Sequence, residues 1–322
     1  MRLSAPALHT DTGGWIALGD LLIVMPVYNE ANSIARNVGR LLDVLREDRI
    51  TARIALVDDG SADASWAALC ALSEEYSEVT ALRLSRNFGK EAAICAALEC
   101  LDADLYLVMD SDLQHPPACI KDMLALMDET GADIIDGVKT SRGREGLLRR
   151  AASKGFYRLM RAVSGLDFDN SSDFKLMRRR VVDALRQLGE GGVFFRGLTD
   201  WVGFVHAEFP FSVAEREDGS SRFSARKLIA LAFSAMLSHT SKPLYLTTGV
   251  GLVFLVLASV LGVQSLYMYF SGRAQDGFST VILLLLLTGS LILLSLGVIG
   301  AYIARIYNEV KARPRYIVSD RK

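Results

Sequence analysis

From residue 21 the chain alternates short apolar runs with longer stretches in which apolar residues recur every three or four positions. LLIVMPV (21–27), RIALVD (53–58), VTALRL (79–84), DLYLVMD (104–110) and ADIIDGV (132–138) read as strands, the branched-rich ones buried on both faces. Between them ANSIARNVGRLLDVL (31–45), ADASWAALCALSEEY (62–76), GKEAAICAALECL (89–101) and CIKDMLALM (119–127) read as helices. This alternation predicts an α/β domain, a mostly parallel sheet with helices on both faces.

After residue 243 the pattern changes. Residues 244–270 and 280–304 form two runs without a charged residue. Each exceeds the ~20 residues that cross a ~30 Å hydrocarbon core. The connector SGRAQDGF (271–278) is too short for a domain, so a two-span hairpin is expected. Arg222, Arg226, Lys227 and Lys242 precede the pair, and Arg305, Lys311, Arg313, Arg315, Arg321 and Lys322 follow it. This asymmetry puts both flanks, and the large N-terminal domain, on the cytoplasmic side of a multi-pass protein. Residues 225–242 carry helical spacing with basic ends, as an interfacial helix at a membrane does. The expected divisions are therefore a flexible leader (1–20), an α/β domain (21–224), an amphipathic juxtamembrane helix (225–242), two transmembrane helices (243–305) and a basic cytoplasmic tail (306–322).

Composition narrows the classes. Lys and Arg (36) nearly balance Asp and Glu (37), so no global basic field argues for nucleic acid. Apolar residues make up 51% of the chain, with the excess after residue 243. Cys70, Cys95, Cys100 and Cys119 lack a C-x-x-C spacing and read as reduced core thiols. The four histidines are scattered and suggest no metal ligand set.

In parallel sheets ligands bind beyond the carboxyl ends of the strands. There this sequence places PVYNE (26–30), DDGSAD (58–63), SRNFGK (85–90) and DSD (110–112). No glycine fingerprint for a dinucleotide and no P-loop follows the first strand. Asp110 and Asp112 are one position apart, so an extended backbone points both carboxylates the same way. Alone, the pair also reads as a strand end followed by a solvated turn, with Asp or His115 capping a helix that Pro116 and Pro117 start. A carboxylate rim around a diphosphate needs a divalent cation, and Asp110, Asp112 and Gln114 offer the oxygen donors that suit Mg²⁺ or Mn²⁺.

PVYNE, VDDGSAD, RNFGK and DSDLQHPP, in that order and each after a strand, resemble the GT-A-fold glycosyltransferases of family two. With SSDFKLMRRRVVDAL (171–185), FFRGLTDWVGF (194–204), REDGSSRF (216–223) and the terminal hairpin, the resemblance narrows. It becomes one to polyprenyl-phosphate glycosyltransferases, the bacterial relatives of dolichyl-phosphate mannose synthase. It implies that Pro26, Tyr28 and Glu30 line a nucleoside pocket, with Asp58 and Asp59 near base and ribose and Lys90 at its edge. Asp110, Asp112 and Gln114 would hold metal and diphosphate. Lys139, Arg149 and Ser153, with Arg142 and Arg150 as alternatives, would grip the acceptor phosphate; a solvated membrane-facing surface is the other reading of these cations. Asp173 falls where the family places its catalytic carboxylate, either as base or as a positioning group. Arg216, Ser221 and Arg222 fall on a loop over the donor diphosphate. Two departures stand out: Ser172 replaces a common Gly, and Arg222 a common Lys. The implied partners are a nucleotide-sugar, UDP-linked with GDP as the alternative, undecaprenyl phosphate, the bacterial cytoplasmic membrane and a second copy of the chain. A processive polysaccharide synthase and a membrane-anchored nucleotide-sugar sensor are the rival readings.

Overall fold

A computed structural model of the chain describes residues 2–4, 19–139, 171–188, 195–212, 242–271, 277–311 and 313–322. The chain divides into two compact units. One comprises Met1–Tyr157, Leu166–Ser221 and Pro314–Lys322, the other Arg158–Gly165 and Arg222–Arg313.

In the first unit nine described strands form one sheet: β1 (Arg2–Ser4), β2 (Leu21–Val27), β3 (Ala52–Asp58), β4 (Val79–Leu84), β5 (Leu105–Val108), β6 (Ile134–Lys139), β7 (Ser171–Arg178), β8 (His206–Phe211) and β9 (Val318–Arg321). Their order is β1-β8-β6-β7-β5-β2-β3-β4-β9, and only β7 and β9 run antiparallel to their neighbours. The helices are α1 (Ile34–Glu47), α2 (Ser65–Glu75), α3 (Lys90–Cys100), α4 (Cys119–Thr130), α5 (Arg179–Gln187) and α6 (Phe195–Trp201).

Alternation along β2 sorts these helices onto two faces. Leu21, Ile23, Met25 and Val27 pack with Ile34, Leu41, Leu69 and Met123 of α1, α2 and α4. Leu22 and Val24 pack with Ile94, Leu98, Val182 and Leu198 of α3, α5 and α6. Every β2 residue is buried, as its unbroken apolar run requires. The expected parallel-dominated α/β architecture is therefore present. β2 lies between β3 and β5, and the chain reverses its direction across the sheet between β4 and β5. The crevice where such a sheet binds ligands opens beyond β2 and β5.

Three expectations need adjusting. Arg2–Ser4, within the segment expected as a flexible leader, form the edge strand β1. Residues 306–322, expected as a cytoplasmic tail, hold β9 on the opposite edge, paired with β4. Pro116 and Pro117 do not start a helix capped by His115; α4 begins at Cys119 after Ala118, and His115 is buried.

The second unit contains α7 (Lys242–Phe270) and α8 (Phe278–Val310), two long helices where a hairpin was expected. In α8 the stretch Leu287–Ala304 has a mean hydropathy of 2.0, none of it is buried, and it is long enough to cross a membrane. The apolar stretch of α7, Gly249–Gln264, is shorter. Val253, Val263, Leu293 and Leu294 are exposed on these helices, and large exposed apolar patches are rare on soluble monomers. The expected interfacial helix, apart from Lys242, lies outside the described residues.

Candidate active site

Three loops at the carboxyl ends of the strands are tied to one another. The Asn29 backbone N–H donates to Ser61 Oγ (2.9 Å), and the Ala62 N–H returns to Asn29 Oδ1 (3.0 Å). The Glu30 N–H donates to Ser65 Oγ at 2.8 Å. Gly60 has φ +63°, and a Cβ there would stand 2.3 Å from the Arg86 carbonyl carbon. Only glycine allows the β3–α2 loop to cross the β4–α3 loop this closely. Asp59 completes the brace by accepting from Phe88 N–H (2.7 Å) and Gly89 N–H (2.9 Å) at the start of α3. Both Asp59 oxygens are thereby committed to the backbone. Asp58 is fully buried; Oδ1 accepts the Ser61 N–H at 3.0 Å. Its Oδ2 lies 3.3 Å from Arg83 Nε but accepts no hydrogen bond among the described residues.

The second half of the site is a row of charges. The pairing of β5 with β7 sets Val108 opposite Lys175. Continued by two residues, that register brings Asp110 beside Asp173. Lys90, the first residue of α3, stands between them, its Nζ 2.5 Å from Asp110 Oδ1 and 2.5 Å from Asp173 Oδ2. Arg196 of α6 grips Asp173 from the other side, with Nε 2.6 Å from Oδ1 and Nη2 3.1 Å from Oδ2. Burial alone would raise the Asp173 carboxyl; Arg196 and Lys90 overcome it and hold the group well below the usual carboxylate range. Glu91, next to Lys90, accepts the Phe195 N–H at 2.8 Å and so fixes the start of α6. Its own carboxyl is pushed up to about 7, by burial first and by Asp173 second.

Asp112 is exposed and accepts from Gln114 twice, from the backbone N–H (3.1 Å) and from Nε2 (2.5 Å). Buried His115 accepts the Asp110 N–H on Nδ1 (3.1 Å) and stacks on Phe174 at 4.7 Å. Burial lowers its imidazole to about 4, so it is neutral at physiological pH. Burial lowers the Lys139 ammonium as well, against the pull of Asp110. The departure at Ser172 is absorbed locally: its Oγ–H donates to the Gly137 carbonyl on β6 at 2.7 Å.

A chain with these loops, in this order on such a sheet, can be compared with known proteins. Residues 22–186 match the family model described as glycosyl transferase family 2. The chain belongs to that family. It is 35% identical to the "Uncharacterized glycosyltransferase sll0501" of Synechocystis, covering 94% of this chain and 95% of the relative. It is 32% identical to the "Bactoprenol glucosyl transferase" of Shigella phage SfX, covering 93% and 99%. Among solved structures it is similar to glucosyl-3-phosphoglycerate synthase from Mycobacterium tuberculosis in complex with Mn²⁺, UDP-glucose and phosphoglyceric acid. That match is 19% identical, covers 70% of this chain and 85% of the other, and has a TM-score of 0.49.

In this family 2 glycosyltransferase the structure draws Lys90, Asp110 and Asp173 into one cluster, with Lys139 close enough to feel its charges. Lys90, expected at the nucleoside pocket's edge, stands between the two aspartates. Pro26 and Asp58 are buried in the last residues of β2 and β3, and Tyr28 and Glu30 lie in the loop after β2, with Tyr28 49% exposed. Arg142, Arg149, Arg150, Ser153, Arg216, Ser221 and Arg222 lie outside the described residues. Glu91, His115 and Arg196 were missed as site residues. The only sequence signals for them are a carboxylate directly after RNFGK, a histidine after D-x-D, and an arginine four residues before aspartate in FFRGLTD. A separate group, Asp136, Asp200 and His206, brings ligand atoms within 4.8 Å of one another. Lys175 is already ion-paired with Asp136, so that group holds its own cation.

Proposed function

We propose that this glycosyltransferase moves a sugar from a UDP-linked donor to a polyprenyl phosphate at the cytoplasmic membrane face, with inversion at the anomeric carbon. The observation that carries this reading is the junction of Asp110 and Asp173 through Lys90 at the ligand-binding end of the sheet. The names of the bactoprenol glucosyl transferase relatives support the acceptor. The bare apolar surface of α7 and α8 supports a two-span anchor, and the basic flanks of that pair support a cytoplasmic catalytic unit.

The carboxylates of Asp110 and Asp112, with the Gln114 side chain, make an all-oxygen donor set that fits Mg²⁺ or Mn²⁺. When bound there, such an ion supplies charge stabilisation to the departing nucleoside diphosphate. The chain's own residues do the rest. Tyr28 offers an exposed ring for a base to stack on, and buried Asp58, ion-paired with Arg83, stands at the end of the adjacent strand β3. Lys90 and Arg196 bring cations to the place where negative charge gathers. A lipid monophosphate has its second pKa near ~6 and is largely dianionic at cytosolic pH. It needs no strong base, and Asp173, held ionised, is a weak one. Asp173 therefore orients the reacting groups. Lys139, with Arg142, Arg149 and Ser153, is the acceptor-phosphate set. An α-linked donor gives a β-linked lipid-phosphate sugar.

Purified protein in detergent, given a panel of UDP- and GDP-sugars with and without undecaprenyl phosphate, tests this through nucleotide release. Release is expected to need one UDP-sugar, the lipid phosphate and a divalent ion, and to stop with EDTA. Tight binding of a nucleotide-sugar without release under any condition would favour a sensor instead.

A further inference from the structure

Lys90 has a second consequence for the same site, resting on the metal reading above. We propose that Lys90 is a resident cation that occupies the Asp110 carboxylate in the donor-free enzyme and makes metal binding conditional on the nucleotide diphosphate. Two carboxylates from different strands, Asp110 and Asp173, face each other here, and the ammonium at 2.5 Å from each balances their charge. A divalent ion arriving alone on Asp110 meets that ammonium as a like charge and gains only part of the carboxylate. A diphosphate brings negative oxygens that accommodate both cations, so ion and nucleotide favour each other.

The structure permits the exchange. Lys90 opens α3 directly after Gly89, which has φ +100°, and its side chain is 39% exposed. Asp173 keeps both bonds to Arg196 when Lys90 turns away, so no buried carboxylate is stranded. Asp112 is paired with Gln114 and not with Lys90, which leaves it open to the incoming ion. The other charged groups around this position are Glu91 on α3, Lys139 on β6 and Arg196 on α6. Linkage makes the coupling reciprocal: UDP tightens the metal by the factor by which the metal tightens UDP.

Mn²⁺ binding, read from loss of the free-ion resonance signal, tests this on full-length protein in detergent, with and without UDP. Wild type is expected to bind Mn²⁺ at least about tenfold more tightly with UDP present, a coupling of about 1.4 kcal/mol. Lys90→Met and Lys90→Gln, two neutral replacements, are expected to tighten UDP-free Mn²⁺ binding by about tenfold and shrink the coupling. Lys90→Arg is expected to keep it, and Asp112→Asn to lose Mn²⁺ in both conditions. Unchanged UDP-free Mn²⁺ affinity in both neutral variants overturns the resident-cation role while leaving the metal site intact. If wild type binds UDP but never Mn²⁺, the metal reading itself falls, and this proposal with it.

Discussion

Glu91 and Lys90 are adjacent in sequence and opposite in charge, and burial treats them differently. Lys90 has carboxylates on two sides, whereas the Glu91 carboxyl has burial and Asp173 raising it, opposed by Phe195, Arg196 and Lys90. With its folded value near 7 against 4.5, Glu91 binds its proton more tightly folded than unfolded. Its contribution to stability is full below pH 4.5 and is lost as pH rises through about 7. Glu91→Gln keeps an acceptor for the Phe195 N–H and removes the ionisation. It is expected to flatten the fall in stability between pH 5 and pH 8 and to be roughly 1–3 kcal/mol more stable than wild type at pH 8. Thermal melts of the two proteins at both pH values check this, and parallel pH slopes would count against it. At this scale the sequence was only partly legible. Asp110 and Asp112 announced themselves because they end an apolar run. Arg196 and Glu91 did not, because their partners lie 23 and 104 residues away and nothing local marks them as buried.

Strands rich in apolar residues, β2 to β6, appear where the pattern put them. β7 lacks that pattern. SSDFKLMR alternates, and the face that would normally be apolar carries Asp173 and Lys175, each buried against a partner from another element. Buried ion pairs make a core strand look like a surface one, so residues 171–178 were not read as a strand, although they carried part of the family resemblance. β8 is short and carries a proline, which weakens its signal further. The loops after β3 and β4 were legible as well, since Gly, Asn and Asp in DDGSAD and RNFGK have backbone reasons to be there. Gly60→Ala tests one such reason. The positive φ and the contact with the Arg86 backbone are expected to cost about 2–4 kcal/mol together. By separating the two loops that Asp59 braces, the substitution is also expected to raise the KM for the donor more than it lowers kcat. Donor titrations alongside a denaturation curve separate these effects. An undisturbed KM in a destabilised protein would confine Gly60 to folding.

For the whole molecule, hydropathy marked the stretches that form the two long helices α7 and α8, but the path of residues 314–322 was not legible. Tyr316 Oη donates to Glu99 (2.7 Å), Lys322 and Ala81 exchange two backbone hydrogen bonds (2.9 Å each), and β9 covers the outer edge of β4. A basic, exposed stretch has no apolar pattern to betray a strand, because β9 gains its order from the edge it covers. Removing residues 314–322 is expected to lower the melting midpoint by roughly 5–10 °C and to promote self-association through the bared β4 edge. Melting and size-exclusion chromatography in one detergent read both. An unchanged profile would make β9 ornamental.

That edge strand also orders events in the life of the chain. Domains fold as they are synthesised, N-terminal parts first, yet the strand beside β4 follows both long apolar helices in the sequence. Arg83, which reaches Asp58, pairs in register with Asp320. The sheet edge beside Asp58 is therefore completed only after α7 and α8 have been synthesised, so a chain stalled before β9 has its sheet unfinished.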